Sequence, residues 1–360
     1  MVAVHEEEYR EFAQEFAPRA NEVRRRLAAW WQTDARDLPW RFGRATPWGV
    51  LVSEVMSQQT QMSRVVPYWQ TWITTWPDAA SLSKASAAEV ITAWGRLGYP
   101  RRALRLQECA RVVSEQYHNQ LPHSYEELLA LPGIGDYTAS AVMSFAYGQR
   151  IAVIDTNIRR VLSRVFLGKE SLGGSTTPVE RALANAVLPD DGRNIGQIPE
   201  SVDADVKPAE QMPHAITAGN AADSKVGDPA QKKSVGVSAM HTAASVIWNQ
   251  SVMELGAVVC TAKQPLCETC PIAEQCVFLS NGRPGLGQRR TRPRQRFAGT
   301  DRQVRGIVLH ALRQAQTQTI TREQVEALWK DSVQLDKCVA SLDDDGLIEI
   351  MPDGSVRLPQ

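Results

Sequence analysis

The chain has no apolar run long enough to cross a bilayer, and its start, Met1-Val-Ala-Val-His-Glu-Glu-Glu, lacks the basic patch and apolar stretch of a secretory leader. No membrane role and a cytoplasmic location are therefore expected. There is no excess of either charge, with 40 Lys and Arg against 40 Asp and Glu, so bulk charge does not announce a nucleic-acid partner. Cysteine is scarce outside one short span: only Cys109 and Cys338 fall outside Cys260 to Cys276. That pattern excludes a disulfide framework and points to metal in a reducing compartment. Residues 191–239 contain no aromatic residue, no leucine and no cysteine, and cannot bury enough apolar area to offset the entropy of ordering. They are expected to be a disordered insertion.

What is present is mostly helical. From about Asn21 to Leu188 apolar residues recur every three or four positions, punctuated by Pro77-Asp78, Gly98-Tyr-Pro100 and Leu131-Pro-Gly133, with no period-two run of useful length. An all-α core follows. The same periodicity returns at Ala244 to Gly256, just before the cysteines, so the insertion loops out of a single domain. Arginines bunch at Arg101-Arg102-Ala-Leu-Arg105 and in the linker from Arg289 to Arg296, where they could reach phosphates. From about Thr300 the order is helix (Gln303 to Ala315), helix (Thr321 to Trp329, with Gln324 at the capping-box position), helix (Ser332 to Asp343) and a hairpin around Pro352-Asp-Gly354. That order suggests a winged helix.

Three motifs carry chemistry. Cys260-x6-Cys267-x2-Cys270-x5-Cys276 sets four thiols within seventeen residues, enough for one metal centre. Zinc ribbons supply two Cys-x2-Cys pairs, and only one exists here, which favours a four-iron four-sulfur cluster over zinc. Leu131-Pro-Gly133-Ile-Gly135-Asp-Tyr137 is a Gly-x-Gly turn opening a helix, where close backbone approach and free amides suit a phosphate. Ile151-Ala-Val-Ile-Asp155-Thr-Asn157 then delivers a carboxylate at the end of an apolar run. Earlier, Glu54 stands among apolar residues in Trp48-Gly-Val-Leu-Val-Ser-Glu54-Val-Met, where desolvation raises its pKa and keeps a proton available.

In this order the motifs resemble the helix-hairpin-helix superfamily of DNA glycosylases. Ser53-Glu54-Val-Met-x-Gln58-Gln59-Thr60-Gln61, Arg36-Asp-Leu-Pro-Trp40-Arg41 and Gly95-x-Leu97-Gly98-Tyr99 resemble its adenine glycosylase branch. The resemblance implies a six-helix barrel domain bearing the hairpin (49–155) and an iron–sulfur cluster domain (21–48, 156–190 and 240–282) holding one 4Fe–4S cluster on the four cysteines. Around them would lie an N-terminal extension (1–20), the insertion (191–239), a basic linker (283–300) and the winged-helix-like region (301–360). It implies that Glu54 protonates adenine, that Asp155 stabilises the sugar cation, and that Asn157 orients the water network. Arg36, Trp40, Leu97 and Gln250 would line the pocket for the flipped base. Gln59 and Tyr99 would wedge into the duplex beside the opposite base, and the backbone at Gly133 and Gly135 would hold DNA phosphate. The partner would be double-stranded DNA with adenine opposite 8-oxoguanine or guanine, and the enzyme a monomer.

Departures from the family pattern are Pro100 and Ser57 beside the wedge, and a C-terminus of winged-helix character where a β-rich lesion-reading domain is usual. Opposite-base recognition is thus expected to fall to Gln59, Thr60, Leu97 and Tyr99 of the core. Tyr137 stands where strand-cutting endonuclease III-like relatives carry a lysine that forms a Schiff base, which argues for hydrolysis without lyase activity. A thymine-mismatch enzyme of this fold is a further alternative, and a non-catalytic iron–sulfur DNA-binding module is an alternative of another class. Protein made under iron-replete, anaerobic conditions is expected to hold about four irons per chain, and to keep them when Cys109 or Cys338 is replaced by Ser. Stoichiometric zinc without iron, measured by metal analysis, contradicts this reading.

Overall fold

A computed structural model describes residues 2–171, 174–191, 243–288 and 297–360, with side chains described from residue 14 onward. The rest of the expected insertion, from residue 192, and the arginines at 289–296 lie outside the described residues.

The barrel core is built by α2 (Pro47–Ser57), α3 (Met62–Thr75), α4 (Ala79–Ser83), α5 (Ala87–Trp94), α6 (Arg101–Gln116), α7 (Tyr125–Ala130) and α8 (Asp136–Phe145), after α1 (Val2–Asp34). Their starts are encoded locally. Thr46 caps α2 by accepting from the Gly49 amide, with Pro47 at the first helical position, and Ser86 with Glu89 forms a capping box on α5. Trp72, Trp94, Leu51, Met56, Leu106 and Leu128 are fully buried in this core.

A second core joins α1 to α9 (Thr156–Leu167), α10 (Pro178–Ala186), α11 (Ala244–Val258) and the short α12 (Val277–Ser280). The chain shows no break near residue 20: α1 begins at Val2, and Phe16 and Ala20 are buried in this core with Leu27, Leu162, Val252 and Leu255. Helix α8 serves both cores, because Ala139 and Val142 face the barrel while Ala141, Tyr137 and Phe145 face the second core. The seam between the cores is where a buried polar site can form.

The C-terminal unit runs α13 (Asp301–Gln314), β1 (Thr319–Ile320), α14 (Arg322–Glu326), α15 (Ser332–Asp344), β2 (Glu349–Ile350) and β3 (Val356–Arg357). The strands form an antiparallel sheet in the order β1-β3-β2. This is winged-helix order, and the Thr321–Gln324 capping box forms as expected. Strand β1, at two residues, is too short to have left a periodic signal in the sequence. The unit is not tethered loosely: its core takes in Ala88 and Ile91 of α5, Arg313 Nε donates to the Ile91 carbonyl at 3.1 Å, and Arg101 pairs with Asp345 at 3.0 Å.

Ile91 is fully buried at this joint. Ile91→Ala is expected to cost about 2 to 5 kcal/mol in urea unfolding and to speed protease release of the C-terminal unit. An unchanged release rate contradicts the docking on α5.

Candidate active site and cluster site

Glu54 lies on the apolar helix α2 and is only 7 % exposed. Its neighbour across the seam is Tyr137 of α8, whose hydroxyl donates to Glu54 Oε2 at 2.5 Å. Burial pushes the Glu54 carboxyl up, the Tyr137 hydroxyl pulls it back, and the charge of Asp155 lifts it again, leaving it at about 7. Tyr137 is itself driven well above the ordinary phenol range by burial and the two carboxylates, so it stays neutral and acts as a donor.

Asp155 caps α9. It accepts from the Ile158 amide at 2.6 Å and from Asn157 Nδ2 at 2.8 Å. Burial raises its pKa too, opposed by these donors and by the cation of Arg160. The two carboxyls therefore differ in kind: Glu54 has one neutral donor, and Asp155 has a helix start, an amide and a nearby arginine to favour its anion. Such a pair separates acid from ion by environment alone.

Asn157 is fixed on both sides, since Arg160 Nη2 donates to its Oδ1 at 2.7 Å. Arg160 also donates to the Gly256 carbonyl at 2.6 Å and to the Cys260 carbonyl at 2.8 Å. The close approach depends on Gly256, where an added Cβ would meet the Asn157 Cβ at 2.7 Å. One arginine thus ties the Asp155 turn to the start of the cysteine loop.

The four cysteines line one cavity with Arg164, Val259, Ile272 and Phe278. Among the described residues no three Cys, His, Asp or Glu side chains close on a single ion. Four thiols lining one cavity fit the ligand set of a 4Fe–4S cluster. Burial pushes Cys270 up to about 12 and raises Cys276, so the charge of bound iron is what would make them thiolates. Arg164, fully buried, lies 3.3 Å from Cys260 Sγ and supplies compensating positive charge.

The other expected residues divide. Gln59 and Tyr99 are exposed, and both hold left-handed backbones, at φ 55° and 48°. Thr60 lies between them, its hydroxyl close to the Leu97 carbonyl at 3.3 Å. Leu97 itself, 3 % exposed, packs in the barrel core and turns no side chain outward. Trp40 leans on that core with its ring 5.4 Å from Trp69, and Gln250 is half-buried on α11. Arg36 is already engaged, with both its Nε and its Nη2 donating to Glu254. Gly133 (φ 77°) and Gly135 are exposed at the hairpin, beside Arg105.

Sequence reasoning missed Glu254 and the role of Arg102. Glu254 is fully buried on α11; burial alone would raise its carboxyl, but Arg36 and Arg41 outweigh that and hold it below the usual range. Arg102 was read as one of three arginines able to reach phosphate. Instead its Nη1 donates to the carbonyls of Val55 and Gln58 at 2.7 and 2.6 Å, and its Nη2 to Gly98 at 3.1 Å. Arg101 is paired with Asp345, which leaves Arg105 as the exposed member beside the hairpin. An arginine four residues after a Gly-x-Leu-Gly turn is the signal on offer, but its direction is not legible in sequence.

Comparison with known proteins agrees with this geometry. Residues 52–188 match the model for HhH-GPD superfamily base excision DNA repair proteins, and residues 260–276 match the iron–sulfur binding domain of endonuclease III. A solved thermostable thymine-DNA glycosylase shares the fold, with a TM-score of 0.55 at 21 % identity, covering 74 % of this chain and 98 % of that one. The class is that of helix-hairpin-helix base-excision DNA repair proteins carrying a 4Fe–4S cluster. Within it, the adenine DNA glycosylase of Mycolicibacterium smegmatis is 39 % identical over 92 % of this chain and 94 % of its own, and that of Mycobacterium tuberculosis is 37 % identical over 92 % of each. This chain belongs to the adenine DNA glycosylase family. No helix among the described residues is long and apolar enough to cross a membrane.

Removing one partner of a buried charge group leaves the others uncompensated. Glu254→Ala should therefore destabilise the fold by about 3 kcal/mol or more, whereas Arg36→Ala, whose side chain is 37 % exposed, should cost distinctly less. Equal losses in denaturant unfolding contradict the assignment of Glu254 as the buried centre of this group.

Proposed function

We propose that the enzyme hydrolyses the N-glycosidic bond of adenine paired with 8-oxoguanine or guanine in duplex DNA, as a cytoplasmic monomer with no lyase step. The observation that carries this reading is the buried Glu54 carboxyl at about 7, hydrogen-bonded to Tyr137 and set against an Asp155 whose donors and nearby arginine favour its anion.

Chemistry on a base requires the nucleotide to leave the stack. The seam between the two cores is the place for it, with Arg36, Trp40 and Gln250 around its mouth and Gln59 and Tyr99 exposed to fill the gap left beside the opposite base. Tyr137 occupies Glu54 Oε2, which leaves Oε1 for the proton. Glu54 gives that proton to adenine N7, making the base a leaving group. As the bond lengthens, positive charge develops on the sugar, and the Asp155 anion stabilises it in a site where water competes poorly. Asn157, locked by Arg160, keeps the Asp155 carboxylate oriented while water adds to the sugar, and the Glu54 carboxylate, having given up its proton, takes the one that the water loses. Tyr137 offers no amine for a Schiff base, so strand cleavage does not follow. Cys260, Cys267, Cys270 and Cys276 would hold the cluster, whose contribution is to fasten the loop that anchors Arg160. Gly133 and Gly135 would present backbone to DNA phosphate.

Glu54→Gln should keep specific binding and lose about a hundredfold or more in single-turnover excision; Asp155→Asn should behave similarly. Because the protonated form of Glu54 is the active one, the wild-type rate is expected to hold below pH about 7 and to fall as pH rises through that value. Undiminished excision by Glu54→Gln on an adenine:8-oxoguanine duplex rejects the reading.

A further inference from the structure

Two guanidinium groups from different parts of the fold lie over the Tyr99 ring. Arg102 of the barrel lies 5.6 Å from the ring centroid, and Arg302 of α13 lies 5.5 Å from it. The two are not equivalent. Arg102 is held inward by the carbonyls of Val55, Gln58 and Gly98, and it also lies over Trp94 at 5.2 Å. Arg302 is exposed, one residue into the first helix of the C-terminal unit. Its place is fixed by the docking of that unit, through Ile91, Arg313 and the Arg101–Asp345–Arg305 group.

We propose that Arg302 is a positioning residue for the Tyr99 wedge, and that through it the C-terminal unit takes part in discriminating the base opposite adenine. This rests on the reading of Tyr99 as the wedge. The ring is 50 % exposed on a left-handed residue, so its own backbone turn does little to fix its direction. Two cations over the ring narrow that freedom before DNA arrives, and so lower the ordering cost of insertion. The unit has little else to offer DNA. In helix-turn-helix proteins the second helix of the pair enters the groove, but α15 here carries Asp336, Asp343 and Asp344 against Lys337, with Asp345 as its C-cap. Its C-terminal end is moreover committed to Arg305, whose Nη1 contacts Ser341 Oγ and Nη2 Asp345.

The test is a double-mutant cycle of Arg302→Ala and Tyr99→Ala, read on duplexes with adenine opposite 8-oxoguanine or guanine. Arg302→Ala should lower the ratio of the two single-turnover rates by about twofold to fivefold, the range for an exposed cation over an aromatic ring. Arg302→Lys should recover part of it. In the Tyr99→Ala background the Arg302 substitution should add nothing, because the residue acts through the ring. A second readout needs no excision: with Glu54→Gln protein, 2-aminopurine placed beside the opposite base should brighten on binding as the wedge unstacks it, and less so with Arg302→Ala. Equal losses on both duplexes, additive with Tyr99→Ala and with a shallower salt dependence, would make Arg302 a phosphate contact and overturn the proposal. An unchanged ratio and unchanged fluorescence would do the same. Wild-type protein that unstacks the probe through Arg302 yet never releases adenine would instead overturn the proposed reaction and leave the positioning role standing.

Discussion

The Glu54 carboxyl sits where water cannot solvate its anion, and both cores are arranged around the consequence. An uncompensated buried carboxylate costs several kcal/mol, so the group keeps its proton to about pH 7. This requires a helix apolar on nearly every side, which α2 supplies from Trp48 to Met56. It also requires a cover, which the second core provides by packing α11 against α8 and α9 against α11. Had Glu54 faced solvent, Asp155 would have lacked a partner of different protonation.

Arginines do much of the joining, and each satisfies carbonyls as well as carboxylates. Arg160 fastens the Asp155 turn to Gly256 and the cysteine loop, Arg164 lies against Cys260, and Arg36 with Arg41 converges on Glu254. Planar guanidinium groups suit this work because they present several donors in fixed directions. The cysteine loop is in this way tied directly to the Asp155 turn.

Arg102 solves a different problem. Gln59 and Tyr99 adopt left-handed backbones that disfavour side-chain-bearing residues by about 1 to 3 kcal/mol each. By bonding Gln58 and Gly98 together, one guanidinium holds both loops in the conformation that exposes these two residues side by side. Strain held ready at two exposed side chains is what a surface needs if it is to enter a base stack without first reorganising.

The helical core, the four-cysteine span, the hairpin, and Glu54 with Asp155 as candidates were all legible in the sequence, because each is a local signal of spacing, capping or an acid in an apolar run. The winged-helix order was legible for the same reason, except for β1, whose two residues acquire meaning only by pairing with β3. What only the tertiary structure decided was direction and partnership. Arg102 turns inward though its sequence reads as surface, Leu97 goes to the core, and Arg36 is taken by Glu254. The C-terminal unit, separated from Tyr99 by some 200 residues of chain, comes to stand beside it through Ile91. Such choices depend on which long-range contact satisfies a buried donor or covers an apolar face, and no periodicity along the chain records them.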